Sequence, residues 1–341
     1  MDFRREPLIA RFRSPTGAED MERRVEVRFD PLLGTSARVA EGVKLPKAEP
    51  GALEFLRQPD PDCPFCPERL ERLTPRLPRE VCADGRIQRG ETVLFPNLVP
   101  YSQYAAVAIF SSRHWLELPD FSPALIADNL AATQDFVRAV RRFDPQVRHC
   151  AYNVNYLYPA GGSLPHPHAQ VYLDRHPTTM ARLLGAAGER YRARHGRPFW
   201  DALVAAEEAR AERFVGHIGA TSWMTAFAPL GFNEVRAVVA ERETLLDLTT
   251  DDLGALALGI SRVLAWYEAS RCNSFNLALY SGPLRAASAF RVNLVMMTRS
   301  ALTPHYRSDA MYLERLHWEA AVDRAPEALA AELREHFAAT R

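Results

Sequence analysis

The sequence predicts an α+β protein in which one unit occurs twice, giving pseudo-symmetric halves of antiparallel sheet with packed helices. Three observations lead there: a strand–helix–strand–strand order that recurs, helical apolar spacing in two long segments, and β-branched or aromatic runs between them. The chemistry, by contrast, is asymmetric.

The first copy opens with a strand from Tyr104 to Phe110, followed by Leu116-Glu117-Leu118 and a helix from about Pro123 to Phe143. A strand from about Ala151 to Tyr156 and a Gly/Pro loop lead to a last strand containing His166-Pro167-His168. The second copy repeats this order. Its strand runs from Glu234 to Ala240, then come Leu245-Leu246-Asp247-Leu248, a helix from about Thr250 to Ser270, and strands from Phe275 to Tyr280 and Phe290 to Met297. Between them a connector rich in Ala, Arg and Glu, roughly Met180 to Phe214, reads as helical. The expected divisions are an N-terminal extension (1–27), a first half (28–178), the connector (179–215) and a second half (216–341).

At 341 residues and 47% hydrophobic, the chain is long enough for two packed units. Lys+Arg and Asp+Glu are both 42, so no global field draws it onto nucleic acid or an anionic membrane, and neither is expected as a partner. A small molecule or a second copy fits better. Met1-Asp2-Phe3-Arg4-Arg5-Glu6 lacks the apolar core of a signal peptide, and no run of about 18 apolar residues suggests a span. Five cysteines, three of them scattered singly (Cys82, Cys150, Cys272), argue for a reducing compartment. A cytoplasmic location is expected.

Cys63-Pro64-Phe65-Cys66 lies among Pro59, Pro61 and Pro67, so this CxxC reads as a turn. Two thiolates at that spacing can hold one tetrahedral Zn²⁺ only with two further ligands. There is no second CxxC; alone, the motif is equally a chance or a redox pair. Histidines would have to complete a site. His114, just after the strand that starts at Tyr104, and His166 are the candidates; the resulting Cys₂His₂ set would be closed and structural. Taken singly, His114 reads as an ordinary surface or capping histidine.

His166-Pro167-His168, with Gln170 two residues on, is the most informative stretch. In an extended strand alternate side chains share a face, which would align His166, His168 and Gln170. An imidazole can attack phosphorus, hold the group covalently and pass it to a second acceptor. Gly161 and Gly162 let backbone amides approach an anion, and Ser163 adds a short donor. The second half reads Arg291-Val292-Asn293 at the corresponding strand and has no CxxC, so only one half can be nucleophilic.

From about Arg28 to Glu335 the chain resembles the galactose-1-phosphate uridylyltransferase-like family of the histidine-triad (HIT) superfamily, which includes nucleotide-sugar and dinucleoside polyphosphate phosphorylases. Asn155, Gly161-Gly162-Ser163 and His166-Pro167-His168-Ala169-Gln170 resemble its Asn, Gly-x-Ser and HPHxQ pattern. Phe110-Ser111-Ser112-Arg113-His114-Trp115-Leu116-Glu117-Leu118, Cys63-Pro64-Phe65-Cys66 and Asp30-Pro31-Leu32-Leu33-Gly34 are similar to further family segments. The resemblance implies a duplicated HIT-like fold, His168 as nucleophile and Gln170 as the amide bonding the phosphoryl oxygens. It also implies that Asn155, Gly161 and Ser163 hold phosphate and ribose, with Gly162 in the same loop and Asn97 near base or ribose. Cys63, Cys66, His114 and His166 match structural zinc ligands.

The implied activity is transfer of a nucleoside monophosphate from a nucleotide sugar or similar donor to a phosphorylated acceptor, a sugar 1-phosphate or phosphate, through a nucleotidyl-histidine. A HIT-type hydrolase or phosphorylase and a non-catalytic nucleotide-binding protein are the alternatives, and a homodimer is implied. Three departures stand out: Leu157 replaces a family glycine, the family's Arg-rich segment is reduced to Arg38, Lys44 and Lys47, and Asp309 to Arg315 lacks the acceptor signature. Arg291, Asn293 and Arg299 are candidate phosphate ligands in the second half, with structural roles equally open.

Overall fold

The computed structural model describes residues 1–40, 45–58, 60–285, 287–303 and 308–339. The chain opens with β1 (Arg5–Arg13), β2 (Asp20–Phe29) and β3 (Ser36–Ala40), then two short helices, α1 (Glu54–Arg57) and α2 (Pro67–Leu73). The first half continues with β4 (Ile87–Arg89), β5 (Thr92–Pro96), β6 (Tyr104–Ile109), α3 (Pro123–Phe143), β7 (His149–Tyr156) and β8 (His168–Asp174). Helices α4 (Thr179–His195) and α5 (Phe199–Arg210) form the connector. The second half contains β9 (Phe214–Ile218), β10 (Thr221–Thr225), β11 (Val235–Val239), α6 (Thr250–Ala269), β12 (Phe275–Tyr280) and β13 (Asn293–Thr298). Helix α7 (Tyr312–Leu316), β14 (Ala320–Val322) and α8 (Pro326–Ala339) follow.

Strand order in the large sheet is β4-β5-β6-β8-β7-β12-β13-β11-β10-β9, antiparallel throughout. Read outward from the β7/β12 junction, both sides have the same succession, which is the expected duplication expressed as pairing. Each copy also places a 3-10 turn with a reciprocal cap (Leu118–Asp120, Leu245–Asp247) before its long helix. Ser122 and Thr249 cap α3 and α6 by accepting from Leu125 N–H and Asp252 N–H. Both helices bury an apolar stripe against one face of the sheet, on Tyr152, Val154, Leu277 and Leu294.

Among the described residues, the apolar cover of the other face lies at its flanks. Phe65 and Leu70 pack on Phe95, Val107 and Ile109 at one side, while Leu184, Phe199, Trp200 and Leu203 cover Met224 and Val238 at the other. Between these lids the outward residues of β8, β7 and β12 stay half-buried: Gln170 and Tyr172, Asn153 and Asn155, Asn276 and Ala278. A polar trough therefore runs across the junction of the halves.

A second sheet, β1-β2-β3-β14, is joined to the body by a buried ionic cluster. The Arg28 guanidinium, 2% exposed, donates to both Glu327 oxygens at 2.8 and 2.9 Å, and Arg213 donates to Glu327 at 2.8 Å and Glu207 at 3.0 Å. Burial alone would raise the Glu327 carboxyl, but Arg28 and then Arg213 outweigh it and hold it down at about 2. The folded state thus prefers the ionised form, a contribution complete above the ordinary value of 4.5 and lost as pH falls toward 2. Glu327→Gln is expected to cost about 3 kcal/mol at pH 7. In denaturant titrations across pH its deficit should vanish near pH 2, and a wild-type stability at pH 7 would contradict the assignment.

Candidate functional site

Pro67 at the first position of α2 fixes the helix start, so Cys66 caps it in extended conformation and the CPFC turn leads in from Cys63. His114 arrives on the loop after β6, and His166 precedes β8. One ligand atom from each of Cys63, Cys66, His114 and His166 lies within 4.8 Å of all the others. His166 Nδ1 is 3.7 and 3.8 Å from the two sulfurs and His114 Nδ1 is 3.4 Å from Cys66 Sγ. A tetrahedral ion with two sulfur and two nitrogen ligands has S···N edges of about 3.6 Å, close to these three distances, so the cluster could hold a metal ion.

His166 Nε2–H donates to the Ser111 carbonyl at 3.0 Å, leaving the Nδ1 lone pair toward the thiols. Burial pushes the His166 imidazole down to about 4, and burial followed by the neighbouring Cys63 pushes the Cys66 thiol up to about 12. Neutral imidazole is the form that ligates, and a cation offsets the cost of bringing two thiolates together.

His166 itself is not in the strand, which differs from the expected alignment of His166, His168 and Gln170. Pro167 has no N–H for the ladder, so β8 starts at His168, and His166 takes the metal-side position instead. His168 lies opposite Ile109 and is 5% exposed, with its Nδ1–H donating 2.8 Å to the His166 carbonyl. That bond selects the tautomer with the lone pair on Nε2, the nucleophilic arrangement. Burial lowers the His168 pKa from its ordinary value. The Phe65 ring stands edge-on 5.2 Å from the imidazole, so the CPFC turn packs directly on His168.

The loop before His166 is built for close approach. Gly161 has φ +85°, and a Cβ on Gly162 would lie 2.8 Å from the Asn155 carbonyl oxygen and 3.0 Å from that of Leu157. Leu157, at the family's glycine position, has φ 68° and ψ 169°, a region costly for a side chain, offset by its burial at 1% exposure. Gly162→Ala is expected to push the loop outward, costing about 1–3 kcal/mol and most of the nucleotide affinity. Calorimetric titration with nucleotide would check this, and unchanged affinity would show that the loop does not touch the ligand.

No family model matches the sequence. An uncharacterised protein of Archaeoglobus fulgidus is 31% identical over 336 residues, covering 98% of each chain. A GalT-like protein of Arabidopsis thaliana matches with a TM-score of 0.69 at 16% identity, over 91% of this chain and 98% of that one. An Arabidopsis thaliana ADP-glucose phosphorylase with bound ADP-glucose gives 0.69 at 16% identity, over 91% and 99%. A uridylyltransferase mutant gives 0.68 at 17% identity, over 92% and 99%.

The chain belongs to one family with the archaeal protein. Its fold is that of the GalT-like protein, the ADP-glucose phosphorylase and the uridylyltransferase.

Within this GalT-like frame, the β7/β8 register sets Asn153 opposite Gln170 and brings Asn155 level with His168, and Asn155 Nδ2 lies 3.9 Å from where a Gly161 Cβ would stand. Asn97 lies just beyond β5, where its Oδ1 accepts from Val99 N–H at 3.0 Å and shapes the following loop. The second-half candidates are engaged otherwise. Arg291 is bidentate to Asp201 at 2.8 and 2.9 Å, and Asn293, 1% exposed, donates to the Arg291 carbonyl. Arg299 is bidentate to Asp309. Lys44 lies outside the described residues, and Lys47 donates to the Ser270 carbonyl. Phe65, Asn153, Tyr172 and Asn276 enter the site although motif reading gave them no role. Asn153 and Asn155 at alternate positions of β7 are the signal that places Asn153 there. Among the described residues no helix is long and apolar enough to cross a membrane.

Proposed function

We propose that this protein is a nucleotidyltransferase. His168 attacks the α-phosphorus of a nucleotide sugar or similar donor, expelling the phosphorylated sugar, and the nucleotidyl-histidine is then taken by a phosphorylated acceptor, a sugar 1-phosphate or inorganic phosphate. The observation that carries this reading is the His168 Nδ1–H bond to the His166 carbonyl, which leaves the lone pair on Nε2. Gln170, Ser163 and backbone amides near Gly161 would stabilise the equatorial oxygens, Asn155 and Gly162 would hold the phosphate and ribose end, and Asn97 lies on the base side. Two in-line displacements give net retention at phosphorus.

Zinc suits Cys63, Cys66, His114 and His166 best, because the set is closed and its donors are two thiolates and two neutral imidazoles. It would fasten the CPFC turn to the start of β8. The half 28–178 carries both metal and nucleophile; the half 216–341, joined through 179–215, completes the sheet. A cytoplasmic location follows from the scattered single cysteines, and a homodimer from the sequence resemblance.

The test is intact-protein mass spectrometry after mixing with ADP-glucose, UDP-glucose, GDP-sugars or free nucleoside triphosphates. ADP-glucose comes first, since it is the ligand bound in a neighbouring fold. A gain of one nucleoside monophosphate names the base. No gain with any donor would overturn the covalent mechanism.

A further inference from the structure

We propose that Asn276, held by Arg299 and Asp309, is a positioning residue that turns the Asn155 amide N–H₂ toward the phosphate of the bound nucleotide. The proposal rests on the phosphate-binding role of Asn155 given above.

The direction of this chain follows from chemistry. A guanidinium can only donate, and Arg299 Nη1 is 2.8 Å from Asn276, so the atom it meets is the amide oxygen. The other end of Asn276 is therefore its N–H₂. One hydrogen goes to the Ala160 carbonyl at 2.8 Å, in the phosphate loop, and the other to Asn155 at 2.7 Å, which must answer with Oδ1. Asn155 then has only Nδ2 left to offer. That nitrogen is 3.9 Å from where a Gly161 Cβ would stand, at the left-handed turn of the loop. Asp309 anchors the far end: its two oxygens accept from Arg299 Nε and Nη2, both at 2.8 Å, and its side chain is 6% exposed.

Each amide has two orientations of nearly equal shape, and the wrong one at Asn155 would present an oxygen to an anion. Arg299 removes that choice at a distance of two residues. The relay also gives the second half a task. It lacks a nucleophile, yet through the Asn155–Asn276 pair across the β7/β12 junction it sets the polarity of the first half's site.

Asn276→Asp preserves size while replacing the N–H₂ by an oxygen that faces Asn155 and the Ala160 carbonyl. Asn155 must then turn its own N–H₂ inward. Nucleotidyl-His168 formation, followed by mass spectrometry with the donor that labels wild type, is expected to slow about 100-fold, the loss typical of one transition-state donor. Asn276→Ala, which frees Asn155 without inverting it, should cost less, and Asn276→Asp should add under about twofold in an Asn155→Ala background. A wild-type rate in Asn276→Asp, or an equal penalty with and without Asn155, would overturn the relay. Should Asn276→Asp melt below the assay temperature, Asn276→Ala and Asn276→Ser carry the same comparison. Should wild type bind nucleotide but form no adduct, the covalent mechanism falls and the relay is read from Kd, where Asn276→Asp is expected to weaken binding about tenfold and an unchanged Kd overturns it.

Discussion

His168→Ala is expected to abolish nucleotidyl transfer, with turnover falling on the order of 10⁴- to 10⁶-fold, the range lost when a covalent nucleophile is removed. The argument is local. Among the described residues His166 is the nearest competitor, and it has its Nε2 on the Ser111 carbonyl and its Nδ1 toward the thiols. The protein should still fold. Removing the imidazole leaves a gap under Phe65 and takes the partner from the His166 carbonyl, together about 1–3 kcal/mol. Two measurements separate loss of chemistry from loss of structure: the melting curve, and nucleotide affinity by calorimetry, expected within a few-fold of wild type. A variant that still gains the nucleoside monophosphate would place the covalent bond on another residue. One that binds and turns over at near wild-type rate would end the histidine mechanism altogether.

How much of this was legible depends on whether the signal is local. Helix α3 runs over Pro123–Phe143 as its spacing implies, since Ser122 caps it and Pro123 suits the first turn. Helix α6 and strand β12 likewise match their apolar patterns. The helical connector is built of two helices, divided at Gly196, whose φ of 71° ends α4, with Pro198 opening α5. The β1–β2 hairpin was not anticipated. All nine residues of β1 are exposed, so no alternation marks it, and its arginines pair on the surface.

At the site, the contiguous HPHxQ and glycine motifs could be read directly. Asn276 and Phe65 could not, because their roles come from partners far along the chain: Asn155 is 121 residues from Asn276, and His168 lies across from the CPFC turn. Arg299 takes the structural one of the two roles left open for it. Its charge suggested a phosphate ligand, but Asp309 and Asn276 already occupy it.

Stripping the metal is expected to reduce stability and chemistry together. The proposed zinc joins a turn among prolines to the loop after β6 and the start of β8, which the sheet ladder ties to each other but not to the turn. Metal binding of this kind is folding free energy, so its loss should remove on the order of 5 kcal/mol and lower Tm by roughly 10 °C. Cys63, 0% exposed, is the ligand to change. In Cys63→Ser, metal content should fall well below one equivalent per chain. Phe65, two residues on, should then lose its fixed place against His168, and the His166 carbonyl that orients the nucleophile should shift once its own ring is no longer clamped. Turnover is thus expected to track bound metal across a chelator titration, even with donor saturating. The measurement is elemental analysis alongside melting and rate on the same samples. If metal-free protein keeps both its Tm and its turnover, the cluster is merely four side chains in proximity, and the aim of His168 must come from the β6 and β7 pairings alone.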